Sequence, residues 1–249
     1  MNQQEPLLRK RSATANYRLR VCRPSVKHSS AKWIDVHVNY SPPFLSQLMA
    51  NNSISLAIDA IRLPYTAEVA SYCAPFCCDD KDLDEFFAKD AFLYDTELLG
   101  KTYAWVNSDN TRQILGLITL ANDSVKSEHI AKSAKNRLQR GVPNAKRGLN
   151  FPAVLIGRLG VSSEFRGKGL NIGSQILDFV KDWFRSEDNK TGCRFIVVDA
   201  YNNPQTLHFY EKNGFKLLYK TEKEERDFLT LKNDEPLGTR FMFFDLKLK

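Results

Sequence analysis

A basic loop with two glycines, set between an apolar strand and an amphipathic helix, constrains the fold of this 249-residue chain more than any other feature. The apolar density of AVLIGRLGV (153–161) predicts a buried strand, and the spacing of apolar side chains in NIGSQILDFVKDWF (171–184) predicts a helix with one apolar stripe. Gly167 and Gly169 carry no Cβ, so the loop backbone can approach a ligand closely. Backbone N–H groups and a helix dipole form an anion site at such a junction, which predicts a bound phosphate group. The alternative is an ordinary strand-to-helix turn with solvated charges.

Two common phosphate-binding motifs do not fit this loop. The Walker motif requires Ser or Thr after its lysine, whereas Gly169 follows Lys168. The dinucleotide fingerprint requires a third glycine at position 172, which is Ile172. The acids at the distance of its ribose partner, Glu187 and Asp188, do not end the next strand.

The rest of the chain alternates strands and helices. The patterns predict strands at 54–63, 194–200, 215–220 and 240–248, helices at 82–100 and 204–214, and a β-hairpin of 101–107 with 113–122. This order indicates an α/β or α+β domain with a mixed sheet.

Two stretches resemble the GNAT superfamily of acetyltransferases. RGKGLN (166–171) resembles the Arg/Gln-x-x-Gly-x-Gly/Ala loop that grips the pyrophosphate of acetyl-CoA in that family, and FYEKNGF (209–215) resembles a later signature. The resemblance implies a central, mostly antiparallel sheet that is splayed at the cofactor strand and flanked by helices. It also implies acetyl-CoA as co-substrate and no metal. Asn171 departs from the family pattern, which has Gly or Ala at this position.

The resemblance also implies site residues. Leu159 and Val161 lie on the strand whose backbone pairs with the pantetheine arm and whose free N–H polarises the acetyl carbonyl. Tyr210 falls on the general-acid tyrosine that protonates the departing thiolate; its alternative role is that of a core aromatic. The residues assigned to the rest of the cofactor site are Arg166, Gly167, Lys168, Gly169, Leu170, Asn171 and Asn202.

Asp199 ends a predicted strand beside these motifs. It either orients the substrate or caps the next helix, and we favour the cap.

A narrower resemblance concerns the acceptor. FCCDDKDLDEFFAKDA (76–91) followed by ILGLITLANDSV (114–125) is similar to the GNAT toxins of bacterial toxin–antitoxin pairs, with Cys77 or Cys78 and the pair Leu83-Asp84 in the matching positions. Those toxins acetylate the amino acid of a charged tRNA, although housekeeping relatives share the pattern. The resemblance implies charged tRNA as substrate and an antitoxin protein as partner, and we also consider a homodimer.

Charge and amine chemistry bear on the same question. Residues 126–152 carry a net charge of +6, and Lys132, Lys135, Arg137 and Arg140 are the tRNA-binding candidates within it. A solvated face is the alternative. An α-amine, with a pKa of about 7.7–8.0, needs less help from a base than a lysine amine near 10.4, and the motifs contain no obvious base.

Three functions are therefore compatible with the sequence. The first is acetyl transfer to a primary amine, with the α-amine of an aminoacyl-tRNA as the toxin-like case. The second is acetylation of a small metabolite or a protein amine. The third is a non-catalytic module that binds CoA or RNA.

Composition divides the chain in two. Residues 1–48 carry a net charge of +6 and no sustained period, so we expect a basic, disordered extension before a GNAT-like domain at 49–249. No apolar segment follows the first basic residues, and no run approaches the length of a membrane span, so we expect a cytoplasmic protein with reduced thiols. The five cysteines and four histidines lack the spacing of a metal site.

Overall fold

The structure, a computed structural model, describes residues 18–22, 33–37, 53–126, 150–231 and 236–247. The chain divides into one unit at 1–52 and a second at 53–249. In the first unit, strands β1 (Arg18–Cys22) and β2 (Trp33–His37) pair in antiparallel fashion. That residues 1–48 are an extension outside the catalytic domain stays a prediction.

The second unit contains one sheet and the helices that flank it. Its strands are β3 (Ala60–Pro64), β4 (Lys101–Asn107), β5 (Ile114–Lys126), β6 (Asn150–Val161), β7 (Phe195–Tyr201), β8 (Lys216–Leu217) and β9 (Thr239–Asp245). Its helices are α1 (Leu56–Asp59), α2 (Ala67–Tyr72), α3 (Lys81–Glu85), α4 (Ala91–Thr96), α5 (Ile172–Arg185), α6 (Pro204–Lys212) and α7 (Glu222–Leu229). A π-helical turn (Phe86–Asp90) joins α3 to α4, so the helix predicted at 82–100 is present with one wide turn.

The sheet has seven strands in the order β3-β4-β5-β6-β7-β9-β8. All neighbouring strands are antiparallel except β6 and β7, which run parallel. The predicted mixed sheet with flanking helices is therefore confirmed.

The parallel pair is open at one end. Pairing joins Ala153 to Phe195 and continues only as far as Ile156 and Val198. Just beyond that point the register of β6 against β5 shifts, because Gly157 is an extra residue in β6. From Gly157 to the end of β6 at Val161, no described strand pairs with the edge of β6 that faces β7. The predicted splay of the cofactor strand is present, and we call this opening the split.

Helix α5 packs on one face of the sheet, which we call the helix face. Ile176 and Val180 are fully buried there, in a cluster that also includes Tyr210 of α6. Burying an aliphatic side chain of this size stabilises the fold by about 1.5–3 kcal/mol. A Cβ placed on Gly116 of β5 would lie 2.7 Å from Ile176 Cδ1, so the helix rests directly on the strand backbone.

The opposite face carries two smaller clusters. Phe87 and its neighbours pack under α2 to α4, and Phe195 packs with Val125 and Phe151. Both faces of the central strands are thus covered in part by apolar side chains, which matches their high apolar content.

Three local elements differ from the predictions. Of the strand predicted at 215–220, only β8 (Lys216–Leu217) forms. The strand predicted at 54–63 begins as helix α1, because the N–H of Leu56 donates to Gln175 Oε1 at 2.8 Å and the N–H of Ser55 donates to the Asp59 carboxylate. Helix α7 was not predicted from the sequence. It is anchored by a buried ion pair between Glu225 and Arg240, which lie 15 residues apart in the chain.

Candidate active site

The loop between β6 and α5 has the conformation that its glycines allow. The N–H groups of Phe165 and Arg166 donate to the carbonyl of Ser162, and the chain then turns through Gly167 and Gly169, whose φ angles are +76° and +75°. Neither glycine would bring a Cβ within 4 Å of another protein atom. The glycines are therefore required by their backbone angles, and open space lies above them.

Asn171 fits the loop despite its departure from the family pattern. It has a φ of +53°, which Asn tolerates better than most residues, and its Nδ2 donates to the carbonyl of Gly169 at 3.1 Å. Gln175 Nε2 donates to the carbonyl of Leu170 at 2.9 Å and fixes the loop against α5. Within the described residues, the N–H groups of 167–171 donate to no protein acceptor, so they are available to an anion.

The two basic side chains of the loop have different surroundings. Arg166 pairs with Asp79, with 3.3 Å between Nη2 and Oδ2, whereas Lys168 is exposed and has no ion-pair partner among the described residues. Lys168 therefore contributes the less compensated positive charge beside the loop.

The segment before α3 rests against this loop. The N–H of Ser163 donates to the carbonyl of Cys77, and the Asp84 carboxylate accepts from the N–H of Cys78 at 2.7 Å and from Cys77 Sγ at 3.4 Å. Burial opposes ionisation of Asp84, but the hydrogen bonds from Cys78 and Cys77 outweigh it and lower the pKa of this carboxyl. Both cysteines thus bond the aspartate of the Leu83-Asp84 pair, which gives the toxin-like pattern a structural role.

Leu159 and Val161 lie on the part of β6 that borders the split. Their side chains pack against the core of the helix face. Their positions beyond Ile156 leave the strand edge open toward β7. This edge and the N–H groups of the loop are consecutive along the chain.

Tyr210 lies in the core, as one of its two predicted roles requires, and the other role, that of general acid, stays a prediction. The residue is 6% exposed, and its ring centroid lies 5.1 Å from that of Phe209 and 5.3 Å from that of Phe215. Burial raises the pKa of its phenol above the ordinary value near 10, so the phenol is protonated at neutral pH. Its hydroxyl has no hydrogen-bond partner among the described residues. The hydroxyl oxygen is also not fully enclosed by them, unlike the unpaired Nε atoms of Arg158 and Arg194. The ring belongs to the core and the hydroxyl is free to donate.

Helix α6 also reaches the start of α5. A Cβ on Gly173 would lie 3.1 Å from Phe209 Cζ, so the helix that carries Tyr210 packs directly on the first turn after the loop.

The capping role favoured for Asp199 is wrong. Asn203 caps α6, because its Oδ1 accepts from the N–H of Thr206 at 2.8 Å. Asn202 donates through Nδ2 to Glu222 and to the carbonyl of Leu237, so its amide group joins α7 to the end of β7. Neither bond involves the loop that follows β6.

Asp199 instead lies at the split. It is the first residue of β7 after the last parallel pair, and its side chain alternates with those of Val198 and Ala200, which are buried in the helix-face core. Loss of hydration raises the pKa of its carboxyl, and the charges of Asp123 and Glu225 add to this effect. The sequence motifs offered no obvious base, and they marked Asp199 only as a residue that orients the substrate or caps the next helix.

A polar group spans the split on the face opposite α5. Tyr201 donates through its hydroxyl to Asp82 Oδ2 at 3.2 Å, and Arg158 Nε lies 4.0 Å from the same oxygen. We call these three residues the polar bridge. The guanidinium of Arg158 lies 5.0 Å from the ring centroid of Phe86. No sequence motif marks the bridge, since its members come from three separate elements.

The predicted tRNA-binding residues Lys132, Lys135, Arg137 and Arg140 lie outside the described residues. In the part that the structure describes, no group of three or more His, Cys, Asp or Glu side chains is arranged to hold a metal ion. None of the described helices has the length and apolar content that a membrane span requires.

Comparisons with known proteins agree with this architecture. Residues 102–217 match the family model described as an acetyltransferase (GNAT) domain. AtaT complexed with acetyl-methionyl-tRNAfMet is similar at 19% identity and a TM-score of 0.55, over 76% of this chain and 96% of that one. A KacT mutant with phenylalanine in place of a tyrosine is similar at 19% identity and a TM-score of 0.57, over 76% and 96%. An AtaT mutant toxin bound to the C-terminus of the antitoxin AtaR and acetyl-CoA is similar at 18% identity and a TM-score of 0.52, over 76% and 94%.

Proposed function

We propose that this chain, whose residues 102–217 match the family model of a GNAT acetyltransferase domain, transfers the acetyl group of acetyl-CoA directly to a primary amine. The matched range includes both RGKGLN and FYEKNGF. The observation that carries the proposal is the split. An unpaired strand edge leads without interruption into a loop of unpaired N–H groups at a helix N-terminus. One end suits an extended amide-containing arm and the other suits a pyrophosphate.

Binding is assigned to the residues that border these two ends. Backbone N–H groups of 167–171 hold the pyrophosphate, with Lys168 adding charge, whereas the N–H of Arg166 is already bonded to Ser162. The open edge of β6 at Leu159 and Val161 pairs with the pantetheine arm and directs an N–H at the acetyl carbonyl oxygen.

The reaction needs no covalent enzyme intermediate. The neutral amine attacks the thioester carbon, and the negative charge that develops on the carbonyl oxygen is stabilised by the strand N–H. When the C–S bond breaks, Tyr210 gives its proton to the leaving sulfur, and the proton lost by the nitrogen restores the phenol through solvent. Burial keeps Tyr210 protonated before the reaction, which suits this role.

For the acceptor, we propose the α-amine of an aminoacyl-tRNA. The similar fold of AtaT, solved with acetyl-methionyl-tRNAfMet, and the +6 charge of residues 126–152 support this assignment. An antitoxin is the matching protein partner, in line with the AtaT structure that contains AtaR.

The test is acetyl transfer from labelled acetyl-CoA to a charged tRNA pool. Label should appear in the tRNA fraction and leave it after mild base, which cleaves the ester and releases the labelled N-acetyl amino acid. Deacylated tRNA, a set of small amines and bulk protein serve as alternative acceptors in parallel reactions. Transfer to small amines or protein but not to charged tRNA would contradict the tRNA assignment. Absence of transfer to every acceptor, despite acetyl-CoA binding, would contradict the enzymatic function itself.

A further inference from the structure

Arg158 occupies the point at which the split opens. It follows the extra residue Gly157, and it lies opposite Thr119 of β5. The bulge changes the phase of the strand, so Ile156 and Leu159 both contribute to the helix-face core, while Arg158 lies with Asp82 and Phe86 on the other face. Arg158 therefore lies where the open edge of β6 begins.

The donors of Arg158 are incompletely used. Nη1 donates to the carbonyl of Gly157 at 2.8 Å, which together with the Phe86 ring fixes the guanidinium. Nε is fully enclosed and has no hydrogen-bond partner among the described residues. Its separation of 4.0 Å from Asp82 Oδ2 is too long for a hydrogen bond, and that oxygen already accepts from Tyr201. An enclosed donor is out of reach of a ligand, but Nη2 also has no hydrogen-bond partner among the described residues and is not one of their fully enclosed unpaired atoms. This end of the rigidly held guanidinium, whose side chain is 39% exposed, is therefore the donor that a ligand oxygen can reach.

The acidic residues around Arg158 favour a ligand that carries a neutral oxygen atom next to a positively charged group. Burial and then the charges of Asp80 and Asp82 raise the pKa of Tyr201, and Asp199 lies two residues before it on the same face of β7. A carboxylate or phosphate ligand would be repelled by these acids, whereas an ammonium group would be attracted. A carbonyl oxygen next to an amine meets both requirements at once.

We propose that Arg158 binds the carbonyl oxygen adjacent to the acceptor amine and is thereby the residue that selects α-amino carbonyl compounds over simple aliphatic amines. The inference rests on the proposed acetyltransferase function and adds to it a residue that binds the acceptor and determines its chemical class. Asp82 and Tyr201 position the guanidinium, and the acids around the split hold the amine near the thioester until it loses its proton.

The test compares acceptors that differ only in the carbonyl group. The amides of the amino acids form one set, and the matching amines without the carboxamide form the other, for example leucinamide with 3-methylbutylamine. The values of kcat/KM are measured for the parent, Arg158→Lys and Arg158→Met. Dividing the parent value by the variant value for each acceptor cancels the difference in amine pKa between the two sets.

Arg194→Lys is the matched control. In the described part of the chain, Arg194 Nε is also enclosed and has no hydrogen-bond partner. This residue, however, lies beside the first parallel pair, Ala153 and Phe195, away from the split, and it pairs with Asp245. Melting temperature and acetyl-CoA affinity are measured for all variants, and Arg158→Lys retains the charge if Arg158→Met does not fold.

We expect both Arg158 variants to lose about tenfold to a hundredfold more kcat/KM on the amides than on the matched amines, and Arg194→Lys to show no such difference. Equal losses on both sets would overturn the assignment and leave the acetyltransferase function intact. Transfer by the parent to charged tRNA but to neither small set would also overturn it, because the split would then not recognise the α-amino carbonyl group itself. Transfer to no acceptor of any kind would instead overturn the proposed function, and the inference with it.

Discussion

The backbone N–H of Ser163 donates to the carbonyl oxygen of Cys77 at 2.9 Å, so the proposed pyrophosphate loop rests on the segment that precedes helix α3. Asp84 fixes that segment from the other side through Cys78 and Cys77. The first turn of a helix far upstream in the chain therefore supports the conformation of the loop proposed to bind the pyrophosphate.

Replacing Asp84 tests this support. Asp84→Asn keeps the size of the side chain but weakens the acceptor for the Cys78 N–H, and we expect the free energy of unfolding to fall by about 1–3 kcal/mol. The Kd for acetyl-CoA should rise as the loop loosens. Asp90→Asn changes an exposed aspartate of the same helical segment and is the control. Identical melting temperatures and Kd values for the two variants would show that Asp84 does not support the loop.

The pKa of Asp84 also predicts a pH dependence. Because hydrogen bonds lower this pKa in the folded state, the carboxylate stabilises the fold above the pKa of the unfolded chain. The stabilisation is lost as the pH falls through the lower, folded-state pKa. The difference in stability between parent and Asp84→Asn should therefore be largest at neutral pH and shrink in acid, as measured by urea unfolding at a series of pH values. A difference that grows in acid would contradict the assignment.

Asn171 can be tested through its backbone conformation. Its φ of +53° is costly for alanine and easy for glycine, so Asn171→Ala should lower stability by about 1–2 kcal/mol and raise the Kd for acetyl-CoA. Asn171→Gly should bind acetyl-CoA at least as well as the parent, because it removes the side chain and keeps the angle. Calorimetric titration and thermal unfolding measure both effects. Tighter binding by the alanine variant than by the glycine variant would show that φ is not the limiting requirement.

Tyr210→Phe removes one hydroxyl and leaves the aromatic packing. We expect kcat to fall at least about tenfold while melting temperature and acetyl-CoA affinity stay near parental values, because the proton is needed only as the thiolate leaves. Tyr72→Phe, which removes a hydroxyl at an exposed site beside Thr111, is the control and should keep full activity. A Tyr210→Phe enzyme as fast as the parent would exclude Tyr210 as the general acid.

The basic segment can be tested by charge removal. Replacing Lys132, Lys135, Arg137 and Arg140 with alanine should raise KM for charged tRNA and reduce its salt dependence, by about 0.7–0.9 in log–log slope for each tRNA phosphate that the variant no longer neutralises. Acetyl-CoA affinity and transfer to small amines should not fall. Rates are compared at two salt concentrations, and equal slopes for parent and variant would mean that the segment is a solvated surface.

Much of the fold follows from local patterns, and the family resemblance implied the split, whereas neither one indicated the polar bridge. The glycine loop and α5 were predictable because each depends on residues that are close together in the sequence. Tyr210 was assigned from the resemblance to the GNAT superfamily. The polar bridge joins Asp82 to Tyr201 across 119 residues, and no local period encodes such a meeting. Asp199 was misassigned as a cap because Asn203, a better cap, follows it closely. Helix α1 replaced part of a predicted strand because the distant Gln175 supplies the acceptor for its first N–H.

The contact between Gly116 and Ile176 fixes how far the start of α5 lies from the sheet. Because α5 rests on the backbone of β5, the height of its N-terminus above the sheet is set by main-chain packing. The distance between the loop that precedes α5 and the open edge of β6 is therefore fixed, and it determines how long the arm of a ligand must be to reach both. A side chain at position 116 would lift the helix and increase this distance. The acyl group would then be displaced from the attacking amine by a residue that neither of them touches.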